Sequence, residues 1–99
     1  MRQEILDTLC NKLSWFKDNY SQKKIRLNLE AVDKLKDDFL TIVQEFCIEY
    51  NLEHSKIIEK SSNYFYITIM CGVEDIFIEC YLDYLVHHTI FINVVLKTK

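Results

Sequence analysis

The chain contains no proline and a single glycine, Gly72. One glycine cannot furnish a phosphate-cradling P-loop or a dinucleotide fingerprint, and no nucleophile elbow or zinc-binding helix motif occurs either. Nor is there a glycine-rich linker, an internal repeat or a low-complexity segment to divide the chain. A basic excess is also missing: 12 Lys and Arg stand against 15 Asp and Glu, for a formal net charge of −3. No overall positive field exists to hold nucleic acid or an anionic membrane, and a basic partner is the one this charge favours. No uncharged run approaches the roughly 18 to 20 apolar residues that span a bilayer. The stretch MRQEILDTLCNK interrupts its apolar residues with Glu4, Asp7 and Lys12. It therefore lacks the apolar h-region of a secretory signal, and a cytoplasmic location is expected.

What is present reads as one globular domain over residues 1–99, with 49% hydrophobic and 27% charged side chains. A chain of this length builds one core and leaves little room for an internal catalytic cavity. Four cysteines without a secretory signal point to reduced thiols. If Cys71 lies opposite Ile76 in a hairpin, Cys80 lies opposite Ile67, about 13 Å along the strand and beyond the roughly 7 Å that a disulfide allows. Cys10, Cys47, Cys71 and Cys80 all occupy apolar-pattern positions and are expected inside as small hydrophobes.

Hydrophobic spacing separates a helical half, 1–52, from a sheet half, 55–98. Ile5, Leu6, Leu9, Cys10, Leu13, Phe16 and Tyr20 form one stripe, which predicts an amphipathic helix over residues 3–19. After the connector SQKKIRLN, a second helix is expected from Leu29 to Tyr50, with Asn28 and Asn51 as caps. It buries Val32, Leu35, Phe39, Ile42, Val43, Phe46, Cys47 and Tyr50, and turns Glu30, Lys34, Asp37, Asp38, Glu45 and Glu49 outward. Past His54 the period drops to 2, giving a short edge strand at 56–60, a hairpin of 64–71 with 75–82, and a strand at 89–97. The expected fold is α+β, of order ααββββ: two helices on one face of a four-stranded antiparallel sheet, a two-layer sandwich. A competing pattern makes residues 73–88 helical, since Val73, Ile76, Phe77, Cys80, Tyr81, Tyr84 and Leu85 also fit helical spacing.

The strands split by parity into two unequal faces. Phe65, Ile67, Ile69, Cys71, Ile76, Ile78, Cys80, Leu82, Ile90, Ile92, Val94 and Leu96 form the aliphatic core face. A turn of two or of four residues at GVED keeps this parity. With four, which sets Cys71 opposite Ile76, the opposite face places Tyr66, Tyr81 and Phe91 side by side and Met70, Phe77 and Val95 in a parallel row, with Thr68, Glu79 and Asn93 between. Three accounts are open for so aromatic an outer face: chain of the same molecule covers it, a second copy docks on it, or another macromolecule does. Trp15 lies far round the helical wheel from the apolar stripe, among Glu4, Thr8, Asn11, Asp18 and Asn19. It is either an exposed anchor or packed under the connector or a helix end.

Chemistry-bearing clusters are sparse. Lys23, Lys24 and Arg26 fall in the connector, and Lys56, Lys60 and Lys97 rim the sheet, but Glu79 and Asp83 interleave with the aromatics. A single-stranded nucleic-acid platform would instead line a positive groove. His87 and His88 point to opposite sides of an extended chain, and Cys80 with either matches no common ligand or dyad spacing. No catalytic residue, metal ligand or cofactor is assigned, and no enzyme is expected. The expectation is a small protein that binds and neutralises another protein through the aromatic sheet face together with the acidic second helix, its partner basic if charge guides the encounter, in the manner of immunity proteins, antitoxins and phage-encoded anti-defence inhibitors. Its predicted contact residues are Tyr64, Tyr66, Met70, Phe77, Glu79, Tyr81, Phe91 and Trp15. A homodimeric module without a separate partner and single-stranded nucleic-acid binding are the alternatives.

Overall fold

The apolar stripes of the first half form two helices, α1 (Arg2–Gln22) and α2 (Leu29–Tyr50). The computed structural model describes residues 2–22, 29–72, 74–83 and 89–98. The expected cap Asn28, the basic trio of the connector, Val73, His87 and His88 lie outside the described residues. Helix α1 runs three residues beyond the predicted end, and Leu9, Leu13, Phe16 and Tyr20 are its buried stripe. Helix α2 buries Val32, Leu35, Phe39, Val43, Phe46 and Cys47, while Ile42 and Tyr50 are half-buried at its flanks.

Helix α2 ends on Asn51, as the cap assignment anticipates. Its φ of 54° is left-handed, a conformation asparagine tolerates better than most residues. Leu52 N–H donates to the Cys47 carbonyl at 2.8 Å and Asn51 N–H to that of Ile48 at 3.4 Å. This pair of bonds is a Schellman motif, and it satisfies two carbonyls that the last turn leaves without helical donors.

Five strands follow: β1 (Glu53–His54), β2 (Ile58–Ser61), β3 (Tyr64–Cys71), β4 (Glu74–Asp83) and β5 (Thr89–Thr98). All pairings are antiparallel, in the order β1-β3-β4-β5, with β2 also on β3. The single edge strand predicted at 56–60 is thus two short pieces. Between them Ser55 keeps contact with β3, donating its N–H to the Thr68 carbonyl at 2.8 Å and accepting from Thr68 N–H on its Oγ at 3.0 Å. The helical alternative for 73–88 fails over Glu74–Asp83, which is strand throughout.

One register expectation is corrected. Cys71 faces Glu74 rather than Ile76, and Cys80 faces Phe65 rather than Ile67. The pairing of Cys71 with Glu74 leaves a two-residue connection between the strands, and Gly72 supplies a left-handed φ of 68° there. A slip of two residues preserves which side chains share a face, so the core assignment survives while the rows across the sheet shift. The four cysteines are free thiols.

The core lies between the helices and the inner sheet face. Phe39 meets Phe65 edge-on at 5.4 Å between ring centroids and Phe16 at 6.0 Å, tying α2 to β3 and to α1. Lys36 of α2 forms an ion pair with Glu59 of β2, and Tyr20 donates to Asp38 between the helices. Helix α1 lies over β5 and α2 reaches β1. Among the described residues, no helix is long and apolar enough to cross a membrane.

Several positions of the predicted core are not fully buried: Ile5, Leu6, Ile92 and Val94 are half-buried at its margins, and Cys10, Leu96 and Cys71 depart from it for reasons of position. Cys10 is exposed, because it sits on the flank of the α1 stripe beside a cleft of about 320 Å³ shared with Leu13, Ser14, Lys17, Ile92 and Val94. Leu96 has the inward parity yet is 42% exposed, since β5 is the outermost strand. Cys71 is only half-buried, one residue before the turn.

Candidate functional site

Both helices occupy the inner face, and no described element lies over the outer face of β3, β4 and β5. The observed registers build its rows: Tyr64, Tyr81 and Phe91; Tyr66, Glu79 and Asn93; Thr68, Phe77 and Val95; Met70, Asp75 and Lys97. Tyr81 and Phe91 are therefore neighbours as expected, but Tyr64 rather than Tyr66 completes their row, and Met70 sits beside Asp75 rather than Phe77. Both changes follow from the shorter turn.

The rings on this face hold one another in place. Tyr64 and Tyr81 stack in parallel with centroids 4.3 Å apart, and Tyr66 lies against Phe77 at 4.6 Å, tilted by 48°. Lys97 Nζ sits 4.0 Å from the centre of the Phe77 ring, and Lys60 from β2 reaches to 5.9 Å from that of Tyr66. Such cation–π contacts are worth about 0.5–1 kcal/mol when exposed. The two outermost aromatics, Tyr81 and Phe91, remain 41% and 51% exposed.

Glu79 sits at the centre of the aromatic group. Its Oε2 accepts from the Tyr64 hydroxyl at 2.5 Å and from the Tyr81 hydroxyl at 3.4 Å, and its Oε1 accepts from Asn93 Nδ2 at 3.2 Å. The Tyr64 hydroxyl is the main reason the Glu79 carboxyl is held below its ordinary range. Asn93, Tyr81 and Lys97 act in the same direction, and partial burial acts against them. The same bond holds the Tyr64 phenol above its ordinary value, because ionisation would put an anion against the carboxylate. Glu79 thus serves as a fixed acceptor around which three donors are oriented, and it is no proton donor at neutral pH.

Of the eight predicted contact residues, this face brings together Tyr64, Tyr66, Met70, Phe77, Glu79, Tyr81 and Phe91. Trp15 is elsewhere. It is 66% exposed on the helical layer, where it lines a groove of about 370 Å³ with Asn11, Lys12, Ile42 and Glu45. Sequence reading missed Ile48, an apolar side chain 81% exposed on α2, for which no periodic signal exists because it falls among polar neighbours. The hydrogen-bonded ring around Glu79 was equally out of reach, since it depends on the two-residue turn.

Nothing among the described residues groups three or more His, Cys, Asp or Glu into a metal-binding arrangement. Cys80, the nearest thiol to the strand's aromatic side in sequence, points inward, and burial pushes it up to about 12. A thiol so protonated is a poor nucleophile. No protein-family model, curated protein or solved structure matches the chain.

Proposed function

We propose that this is a non-enzymatic cytoplasmic protein that neutralises another protein by docking the outer face of β3, β4 and β5 against it. The observation that carries the reading is the state of that face: contiguous aromatics, uncovered by any described element, with their rings already oriented by stacking and by Glu79. Rings ordered in the free protein lose little side-chain entropy on binding, and Tyr and Phe beside a few polar groups is the composition of interface centres. Four free thiols support a reducing compartment.

A basic partner surface fits best. The net charge is −3, so a positive protein would be steered in from a distance. The acidic residues exposed along α2, Glu30, Asp33, Asp37, Glu45 and Glu49, lie on the helical layer across the sheet from the docking face and take no part in the contact itself. Apolar burial at Tyr81 and Phe91 would then slow its release. Immunity proteins, antitoxins and phage-encoded inhibitors of host defence work by this division of labour, and the protein is proposed to act as one of that type. Single-stranded nucleic acid is the poorer occupant. The ring faces of Phe77 and Tyr66 already carry the protein's own lysines, and a carboxylate stands at the centre of the platform.

The test begins with tagged protein used to capture a partner from its native cells. Tyr81→Ala and Phe91→Ala should each weaken binding of the purified partner by about 30-fold or more, as truncated interface anchors do, and restore the partner's own activity. Thermal unfolding of the free variants should hardly move. Unchanged affinity in both variants, or a partner whose activity the parent protein leaves intact, removes the proposal. A salt-sensitive affinity for short oligonucleotides that exceeds the affinity for any protein would replace it with the nucleic-acid reading.

A further inference from the structure

The two edges of the sheet are built differently. Along one, β1 has two residues and β2 four, with a register irregularity between Glu59 and Ser61, and Glu53, Lys56, Glu59 and Lys60 decorate the chain. Short, interrupted, charged strands are how sheets avoid pairing with another chain. Along the other edge runs β5, ten residues of TIFINVVLKT with one charge, Lys97, no bulge against β4 and no partner strand on its far side among the described residues.

Cys71 aside, the strand residues that sequence parity places inside but the structure leaves open cluster at this same edge. Leu96 is exposed, Ile92 and Val94 are only half-buried, and the exposed Cys10 of α1 stands over them beside the cleft that Leu13, Ser14 and Lys17 complete. Unpaired backbone groups and an apolar flank occur together. We infer that β5 pairs antiparallel with β5 of a second copy across a two-fold axis near Asn93 and Val94, joining two sheets into one.

The strand is self-complementary in that arrangement. Pairing centred on Asn93 sets Ile92 opposite Val94 and Ile90 opposite Leu96 of the second copy on the inner side, and Phe91 opposite Val95 on the outer. Parity is conserved, so inner side chains meet inner ones. Each Lys97 lies about 26 Å from its counterpart, well beyond the screening length at physiological salt. Ten extended residues run about 33 Å, and a sheet layer plus a helix layer stand about 20 Å high. The strip covers about 660 Å² per copy, or about 1,300 Å² in total, which reaches the range of stable interfaces. An extended peptide from another protein could also occupy the strand edge. It would leave Cys10 and the cleft beneath α1 uncovered, whereas a second copy brings its own α1 against them.

The experiment combines mass and amide exchange on the intact protein. Light scattering should give a mass twice the 11.9 kDa of the chain, and the β5 amides that point away from β4 should gain protection as concentration rises. Leu96→Lys sets a charge in the apolar flank without touching the outer face, and should weaken dimerisation about tenfold or more while leaving circular dichroism unchanged. Tyr81→Ala should leave the dimer intact, which separates this inference from docking on the outer face. A monomer at about 1 mM refutes the inference. So does a dimer whose protection misses the β5 edge, and so does a dimer as tight in Leu96→Lys as in the parent.

Discussion

Strands β3 and β4 carry two faces on one backbone, and the faces differ in every respect except length. Inward, Phe65, Ile67, Ile69, Ile76, Ile78, Cys80 and Leu82 are all buried. Outward, Tyr64, Tyr66, Thr68, Met70, Phe77, Glu79 and Tyr81 are all at least partly open. Branched aliphatic side chains hold their positions by interdigitating with a second layer, so they need the helices above them. Flat rings can be held by one another and by a hydrogen bond at the tip, so they stay ordered with nothing above. Alternation along a single strand thereby assigns stability to one parity and leaves the other available for recognition.

The sharpest way to break this comparison is to truncate one ring on each side. Phe39, which fills the space above Phe65, should cost about 3–5 kcal/mol as Phe39→Ala, a large share of the roughly 5–15 kcal/mol that holds such a domain folded. Phe91→Ala should cost no more than about 0.5 kcal/mol. Urea midpoints measured at equal slope would show the contrast. Similar losses at both positions would mean that the outer rings belong to the core, and the docking face would be lost with them.

A second test reads the faces by thiol chemistry. Cys47 and Cys80 point inward, and burial alone pushes them up to about 11 and about 12. Cys10 is exposed and Cys71 half-buried. Alkylation at concentrations low enough to keep the chain monomeric, followed by mass spectrometry, should label Cys10 first and Cys71 next, and should reach Cys47 and Cys80 at the rate of unfolding. Early labelling of Cys80 would show that the inner face opens locally.

How far the sequence reveals this design depends on which kind of information each feature needs. The inner face was legible because it follows from parity alone, and parity survives an error in loop length. The outer rows were not, because GVED admits a turn of two residues or of four, and only the shorter one sets Tyr64 over Tyr81 and brings its hydroxyl to Glu79. A helical wheel placed Cys10 inside because a wheel treats both flanks of a stripe alike, whereas the sheet below ends at β5 and leaves one flank without a neighbour. Trp15 was correctly set apart from the α1 stripe, but a wheel cannot say that the groove it reaches belongs to the helical layer, on the far side of the sheet from Tyr81.

The smallest effect distinguishes a face that is merely exposed from one whose rings are deliberately held. Glu79 is kept ionised chiefly by the Tyr64 hydroxyl, so its folded-state pKa lies below its unfolded one, and the stability it contributes is present at neutral pH and lost as pH falls through the folded value. Tyr64 runs the opposite way. Its phenol is held above the ordinary value of 10.0, so its contribution is complete below that pH and is lost as pH rises through the folded value. Tyr64→Phe removes the shared bond and should return the Glu79 carboxyl toward its ordinary range, read from its side-chain carbon resonance, with the urea midpoint nearly unchanged at neutral pH. An unmoved Glu79 titration would mean that the carboxylate does not organise the rings. Ring contacts of Tyr64 with Tyr81 and Tyr66 would then order that end of the face.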